Sequence, residues 1–378
     1  MKEIDLAFRT LFAELAQRCL DASFHSDFPT DGRFVVVPVK GRDYWYFDRK
    51  DGDKPVRKYV GPRGDPDLDR RVADFQAIKD DLKARRKLVA TLTRQAGLPA
   101  PERFTGDIVE AMAAAGLFRL RGVLVGTVAF QCYSGLLGVR LPASSMQTGD
   151  ADFAQFHSVS AGIEDSLPPI LDLLRGIDDT FQEIPHQSDG RRSTAFQNAS
   201  RYRVEFLTPN RGSADHDGRP AHMPALGGAS AEPLRFLDFL IHEPHRSVML
   251  HRSGVVVTIP APERYTVHKL IVAVRRRTEG LSAIKRDKDV RQADLLMEAL
   301  GMTRRQADLA SVYAEAWRRG AAWREALTTG LGYLTRPRAE LARNILAEGL
   351  KEIGEKPDNF ELTDGVTGMS TPQPRRRR

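Results

Sequence analysis

Two aspartates separated by one residue, Asp150 and Asp152 in "TGDADFAQF", are the first residues of this 378-residue chain whose type and spacing suggest chemistry. In an extended segment, residues two apart project to the same face, so the two carboxylates stand together while Ala151 and Phe153 turn the other way. Adjacent carboxylates repel, and burying them is costly unless a cation or hydrogen-bond donors compensate. A divalent metal is the simplest compensation. Hard oxygen ligands of this kind suit Mg²⁺, which keeps several waters and takes further ligands from substrate phosphates. The same residues also fit a pair of solvated acids on a turn, because D-x-D is a common chance pattern.

A second feature precedes the aspartates. The apolar run "VLV" is followed by Gly126, Thr127 and a helical pattern. That order places backbone N–H groups and a helix N-terminus at the end of a strand, a natural anion site, and glycine lets a phosphate approach the backbone. A plain strand-to-helix turn with Thr127 as N-cap accounts for the same residues and is compatible with phosphate binding.

The hydrophobic pattern predicts the elements that must hold these groups. Ile4, Phe8, Leu11, Leu15 and Cys19 recur at helical spacing, which predicts an amphipathic helix over 3–23. The β-branched and aromatic run "FVVVPVKGRDYWYFDRKDGDKPVRKYVGP", broken at Lys40-Gly41 and Asp51-Gly52, predicts a small hairpin unit carrying Tyr44, Trp45 and Tyr46. Asp65 reads as an N-cap before Pro66 of a long charged helix to about Gln95, with Val72, Phe75, Ile78, Leu82, Leu88 and Leu92 along its apolar side. Beyond Pro99 the order is helix ("FTGDIVEAMAAAGLF"), strand ("RLRGVLVG"), helix started by Thr127 ("TVAFQCYSGLLG") and an extra hairpin around "VRLPASSMQTG". Strands follow at "GDADFAQF", "TFQEIP", "STAFQN" and "RYRVEFLTP". The Gly-, Pro-, Asp- and His-rich stretch 210–230 predicts a long surface loop too polar for a core. "VVVTIPAPERYTVHKLIVAVRRR" supplies one more strand and a helix from about Pro262. "KRDKD" then reads as a turn, followed by helical segments at "VRQADLLMEALGM", "RRQADLASVYAEAWRRG" and "PRAELARNILAEGLKEIG".

These elements predict an α+β protein in four parts: a helix, hairpin and long helix over 1–98, a mixed sheet with flanking helices over 99–288, a helical unit over 289–355 and a disordered basic tail over 356–378. The length exceeds the ~250–300 residues at which one core stops growing. With 41% hydrophobic and 28% charged residues the composition is that of a globular protein. No apolar run approaches the ~20 residues of a membrane helix, and "MKEIDLAFRTLF" places acids inside its apolar pattern, unlike a signal peptide. The expected location is the cytoplasm, with no membrane partner. Cys19 and Cys132 lie in helical, apolar contexts that suit buried free thiols. The net charge of +7 would suit a polyanionic partner, but removing Arg375 to Arg378 leaves +3, so the more informative basic residues are Arg275 to Arg277 and those of "KRDKD" at 285–289.

The order of an apolar-Gly-hydroxyl turn, a helix, an Asp-x-Asp strand and a later acidic strand resembles the nucleotidyltransferase superfamily, the fold shared by DNA polymerase beta and the minimal nucleotidyltransferases. "GTVAFQCYSGLLG", "TGDADFAQF", "RYRVEFLTP", "PAPERYTVHKLIVAVRRR" and "KRDKDVRQADLL" together look like a bacterial group of nucleotidyltransferase-fold proteins, over about Leu117 to Leu296. The preceding hairpin and long helix are also typical of that group. The resemblance implies a nucleotidyltransferase-like catalytic domain over 99–288 that moves an NMP from an NTP to an acceptor and releases pyrophosphate. It implies Asp150, Asp152 and Glu205 as catalytic carboxylates holding Mg²⁺ or Mn²⁺, in a scheme where two ions about 3.5–4 Å apart serve the attacking and leaving oxygens. It further implies Gly126, Thr127, His268, Lys269, Lys285 and Lys288 as nucleotide-binding residues, the lysines balancing phosphate charge near Asp289.

Alternation supports Glu205 only in part. Arg203, Glu205 and Leu207 share one strand face and Tyr202, Val204 and Phe206 the apolar one, which fits an ordinary solvent-facing acid as well. Each lysine also reads as solvated, and His268 as a helix-surface or core histidine. The chain departs from the family pattern in the longer gap between Gly126 and Asp150, in threonine where serine is commoner, and in Glu205 where aspartate is usual. The acceptor stays open among RNA, a protein and a small molecule, as do the choice of NTP and the oligomeric state. A toxin-antitoxin or defence role rests on analogy alone. Two other functions use the same residues: an inactive nucleotidyltransferase fold that binds nucleic acid or a protein, and a Mg²⁺-dependent phosphohydrolase.

Overall fold

Alternation of period along the chain becomes alternation of strands and helices in space. The computed structural model describes residues 1–23, 32–39, 41–51, 54–142, 146, 148–162, 165–210, 218–276 and 281–362. It divides into two units, Met1–Ala261 and Pro262–Arg378.

The first unit starts with a short strand β1 (Lys2–Glu3), helix α1 (Leu6–Ser23), the strands β2 (Arg33–Val39), β3 (Arg42–Asp51) and β4 (Lys54–Pro62) in one three-stranded antiparallel sheet, and the long helix α2 (Pro66–Arg94). Asp65 accepts a hydrogen bond from the Leu68 N–H at 3.2 Å while Pro66 takes the first helical position, so α2 begins as its sequence predicts. Ile4, Phe12, Leu15 and Cys19 pack with Val89, Leu92, Ala96 and Leu98 and with Val248 and Leu250 in one buried cluster. Each large aliphatic side chain removed from water there contributes about 1.5–3 kcal/mol before the entropy of ordering it is set against the gain.

Then come α3 (Arg103–Ala115), β5 (Val123–Val125), α4 (Gly126–Leu137), β6 (Val139–Arg140), β7 (Asp150–Ala154), α5 (His157–Gly162), α6 (Ile170–Arg175), β8 (Gln182–Pro185), β9 (Ser193–Gln197) and β10 (Arg203–Pro209). The unit closes with β11 (Ala221–His222), β12 (Ser230–Leu234), α7 (Leu237–Leu240) and the hairpin of β13 (His245–Met249) and β14 (Val255–Ile259). Among the described residues β5, β7, β10, β12 and β11 lie side by side, and β9 and β8 complete a seven-stranded mixed sheet. β10 is parallel to both β7 and β12. β12 pairs with its last three residues, while β9 runs antiparallel to its first three. Ala151, Phe153, Val204 and Phe206 are all at most 1% exposed, so one face of β7 and β10 is core and the other is left for polar groups.

The second unit is helical: α8 (Pro262–Arg275), α9 (Leu281–Met302), α10 (Gln306–Arg318), α11 (Ala321–Gly332) and α12 (Arg336–Glu352), followed by a 3₁₀ turn at Pro357–Phe360. Its core includes Tyr265, Leu270, Leu296, Leu300, Leu309, Tyr313, Leu327 and Leu346.

Several expectations differ from what forms. Stretch 210–230 is not one loop: residues 211–217 lie outside the described residues, but the rest supplies β11, a 3₁₀ turn at Pro224–Leu226 and the start of β12, with Ala221, Met223, Ala225 and Leu226 buried. Its apolar residues come one or two at a time between turn formers, so no period shows. Val139 and Arg140 pair with Glu3 and Lys2 instead of opening a hairpin of their own, and residues 143–145 and 147 lie outside the described residues. "KRDKD" lies within α9, not in a turn. α4 begins at Gly126 with Val125 at the cap position and no side-chain cap, so Thr127 sits in the first turn and is not the N-cap. β12, α7, β13 and α11 have no counterpart in the sequence reading. At the far end Phe360 and Leu362 are buried, so 356–362 is packed chain and not tail; residues 363–378 lie outside the described residues. Among the described residues no helix is long and apolar enough to cross a membrane.

Candidate active site

The polar face of the sheet is ordered by register. Val125, Asp152, Glu205 and Ala195 are successive cross-strand neighbours on β5, β7, β10 and β9, and Asp150 lies opposite Arg203. Parity is the same along this row, so Asp150, Asp152, Arg203 and Glu205 project from one face of the sheet. All three carboxylate residues are half-buried. The Thr148 hydroxyl donates to the Asp150 carboxylate, and the Arg203 guanidinium meets Glu205 at 2.7 Å.

Asp152 faces the start of α4. Gly126 has φ +66°, and a Cβ placed on it would stand 2.5 Å from Asp152 Oδ2. Both facts favour glycine, one because other residues pay strain in this backbone region and the other because a methyl group would push the Asp152 carboxylate aside. The carboxylate therefore sits against the strand-to-helix turn, where the first-turn N–H groups and the helix dipole favour negative charge. Thr127, nearly buried, follows in the first turn of α4. Next to the row, Tyr202 is buried and donates to Thr105 at 2.9 Å. Burial holds its hydroxyl well above the ordinary range, its bond to Thr105 opposes this, and the charges of Asp150 and Asp152 reinforce it, so Tyr202 stays protonated.

A cavity of about 490 Å³ opens beside the row, with Arg203 and Glu205 on one side and His186, Ser188 and Glu232 on another. His186 Nε2 lies 2.7 Å from Glu232 Oε2, and its Nδ1 lies 2.9 Å from the Ser188 hydroxyl. The sequence reading missed these three residues, because no local spacing links positions 186 and 232. Only the strand pairing brings them together.

The remaining sequence-derived residues belong to the second unit. Lys269 on α8 donates to Asp289 on α9 at 2.5 Å, and Arg276 reaches the other carboxylate oxygen at 2.5 Å. Burial opposes ionisation of Asp289, but Lys269 and Arg276 outweigh it and hold the carboxyl below its usual range. Burial likewise works against the Lys269 charge, and Tyr265 and Asp289 overcome it. Lys269 is thus engaged inside this unit, with its ammonium 5.2 Å from the centre of the Tyr265 ring. Lys285, exposed, and Lys288, half-buried, lie on α9 one turn from Asp289 and next to it, and His268 is half-buried on α8.

A further group, also absent from the sequence reading, lies in the first unit. Asp107 and Glu110 on α3 and His251 after β13 place one ligand atom each within 4.8 Å of one another, the one such trio among the described residues. Arg252 already meets both acids, at 2.6 and 3.1 Å, and His251 meets Asp107 at 2.8 Å, so the cluster carries its own counter-charge. Asp150, Asp152 and Glu205 do not converge this closely, since Glu205 is turned to Arg203.

A mixed sheet with flanking helices, presenting paired aspartates beside a glycine-led helix N-terminus, defines the class of the chain as α+β. A family model described as Nucleotidyltransferase matches residues 103–318, more than half the chain and across the junction of the two units. The chain belongs to this nucleotidyltransferase family, and the family assigns it a general role in nucleotidyl transfer. No curated protein and no solved structure gives a match.

Proposed function

We propose that this chain moves a nucleoside monophosphate from an NTP to an acceptor and releases pyrophosphate, acting in the cytoplasm. The observation that carries this reading is the register that sets Asp150, Asp152 and Glu205 on one half-buried sheet face, with Asp152 against Gly126. The donor set fits a hard divalent cation, because all three groups offer carboxylate oxygens and the open sheet face leaves room for water and phosphate ligands. Bound there, Mg²⁺ or Mn²⁺ would supply activation of the attacking oxygen and charge neutralisation of the leaving pyrophosphate.

The chain's own groups do the positioning. The Thr148 hydroxyl fixes the orientation of Asp150. Gly126 and the first-turn amides of α4, with Thr127 among them, donate hydrogen bonds to phosphate oxygens. Arg203 holds Glu205 and offers a second cation to the phosphate chain. His268, Lys285 and Lys288 keep the nucleotide-binding role that the family resemblance implies, and within the second unit Lys269 acts by fixing Asp289 and the pairing of α8 with α9. No covalent enzyme intermediate is required, since transfer of this kind rests on positioning and charge stabilisation.

The test is incubation of the purified chain with each labelled NTP, Mg²⁺ or Mn²⁺, and total tRNA, cell protein or small-molecule acceptors. Pyrophosphate release with a labelled acceptor, abolished in Asp152→Ala, supports transfer. Release of inorganic phosphate alone favours the phosphohydrolase, and silence with intact nucleic-acid or protein binding favours the inactive binding module.

A further inference from the structure

We infer that Ser188 is itself a nucleotidyl acceptor, activated by His186 and Glu232, so that the enzyme modifies the wall of its own cavity. The inference rests on the NTP-transferring reading above.

Geometry places the serine on the wall of the cavity that Arg203 and Glu205 also line. Glu232 on β12 lies opposite Leu207 on β10, two residues beyond Glu205, so its side chain shares the sheet face of Glu205 and Asp152. Ser188 lies in the turn between β8 and β9, and Ala195 of β9 is the direct neighbour of Glu205. The turn is closed by the His186 N–H donating to the Arg192 carbonyl at 2.9 Å and braced by Arg192 donating to the Pro220 carbonyl at 3.0 Å. Ser188 and Glu205 line the same cavity.

The hydrogen bonds also fix how His186 is protonated. The Ser188 N–H points at His186 Nδ1 at 3.1 Å, and an amide N–H can only donate, so Nδ1 is the acceptor. The ring proton is then on Nε2, donated to Glu232 at 2.7 Å. Nδ1, which accepts the Ser188 N–H, also stands 2.9 Å from the Ser188 oxygen, whose hydroxyl donates to the Gly218 carbonyl at 2.7 Å and must turn to Nδ1 for transfer. A serine that only closed a turn would be satisfied by that carbonyl. The nearly buried histidine, held in one tautomer by a carboxylate, is the additional part, and it is the arrangement that activates a hydroxyl nucleophile.

In the transfer an electron pair on Ser188 Oγ forms the bond to the α-phosphorus of the NTP. The bond from that phosphorus to the bridging oxygen breaks, and its pair leaves with pyrophosphate. The hydroxyl proton passes to His186 Nδ1, and Glu232 faces the resulting imidazolium. The product is a serine-nucleotide phosphodiester, and no further reagent is needed.

The experiment incubates the full chain with each α-labelled NTP and Mg²⁺ or Mn²⁺, without added acceptor, and follows intact mass and the tryptic peptide 176–191. One NMP per chain on Ser188 is expected, lost in Ser188→Ala and in Asp152→Ala and restored, on the new hydroxyl, in Ser188→Thr. His186→Ala slows labelling by roughly 100-fold, and added imidazole restores part of the rate, which a merely structural histidine would not permit. Glu232→Gln lowers kcat for labelling and leaves the KM for NTP unchanged, the mark of a positioning residue. Pyrophosphate release with label on another residue, or label that appears only when the acceptors of the preceding assay are supplied, overturns the inference and leaves the transferase reading standing, as does wild-type labelling of Ser188→Ala. Absence of both pyrophosphate release and label, with NTP bound, overturns both.

Discussion

Gly126 is the residue on which the site turns, because its missing side chain is what lets Asp152 lie against the start of α4. Replacement by alanine meets two costs at once. The left-handed φ of +66° costs an L-residue about 1–2 kcal/mol, and the new methyl stands 2.5 Å from Asp152 Oδ2, so the carboxylate must swing away. Gly126→Ala is therefore expected to lower stability in urea unfolding by about 1–2 kcal/mol while nucleotidyl transfer falls out of proportion, by tenfold or more for a displacement near 1 Å. A stability loss with unchanged activity would show that Asp152 tolerates the shift. The two free cysteines take no part. Both are buried, and burial pushes the Cys132 thiol up to about 12, leaving no thiolate near neutral pH.

At the scale of elements, α8 and α9 are joined by a buried charge cluster in which Asp289 is 2% exposed. The sign of its pH dependence follows from the cations beside it. The Asp289 carboxyl is held below its ordinary value in the folded chain, so it binds a proton less readily there than in the unfolded chain. Its contribution to stability is full above the unfolded value of about 4 and is lost as pH falls through the lower folded value. Asp289→Asn should accordingly unfold at lower urea than wild type at pH 7, with the gap closing below about pH 4. A gap that persists at low pH would assign the effect to packing. The same cluster explains why the sequence places the start of α9 more than two turns late, at Val290 and not Leu281. Its inward face carries Asp289 and Gln292 among the apolar residues, while Ile284 is exposed, so the stripe that marks a helix in sequence is broken where it starts. By contrast, Asp150 and Asp152 were legible because period two places them together whatever the partners are. What could not be read was register: the pairing of Asp152 with Glu205, the engagement of Glu205 by Arg203, and the meeting of His186 with Glu232 all depend on which strands lie side by side. Thr127 was read as a cap from its type, but the turn is made by the backbone freedom of Gly126, one position earlier.

For the whole molecule the open question is the acceptor, and charge gives a way to ask it. The net charge of +7 is concentrated in part at the terminus, since Arg375 to Arg378 account for four of it. A polyanionic acceptor such as RNA would release counterions on binding these arginines, about 0.7 per phosphate contact on a single strand. Deleting the four should then weaken RNA binding and reduce the slope of log affinity against log salt by at most about 3. The melting temperature is expected to stay where it is, with Phe360 and Leu362 the last buried residues among the described ones. Pyrophosphate release with a small-molecule acceptor provides the internal control, as an uncharged acceptor releases no counterions on meeting the four arginines. An unchanged salt slope, measured over 50 to 300 mM salt with total tRNA, would remove the terminal arginines from RNA recognition and shift the search for an acceptor to proteins and small molecules.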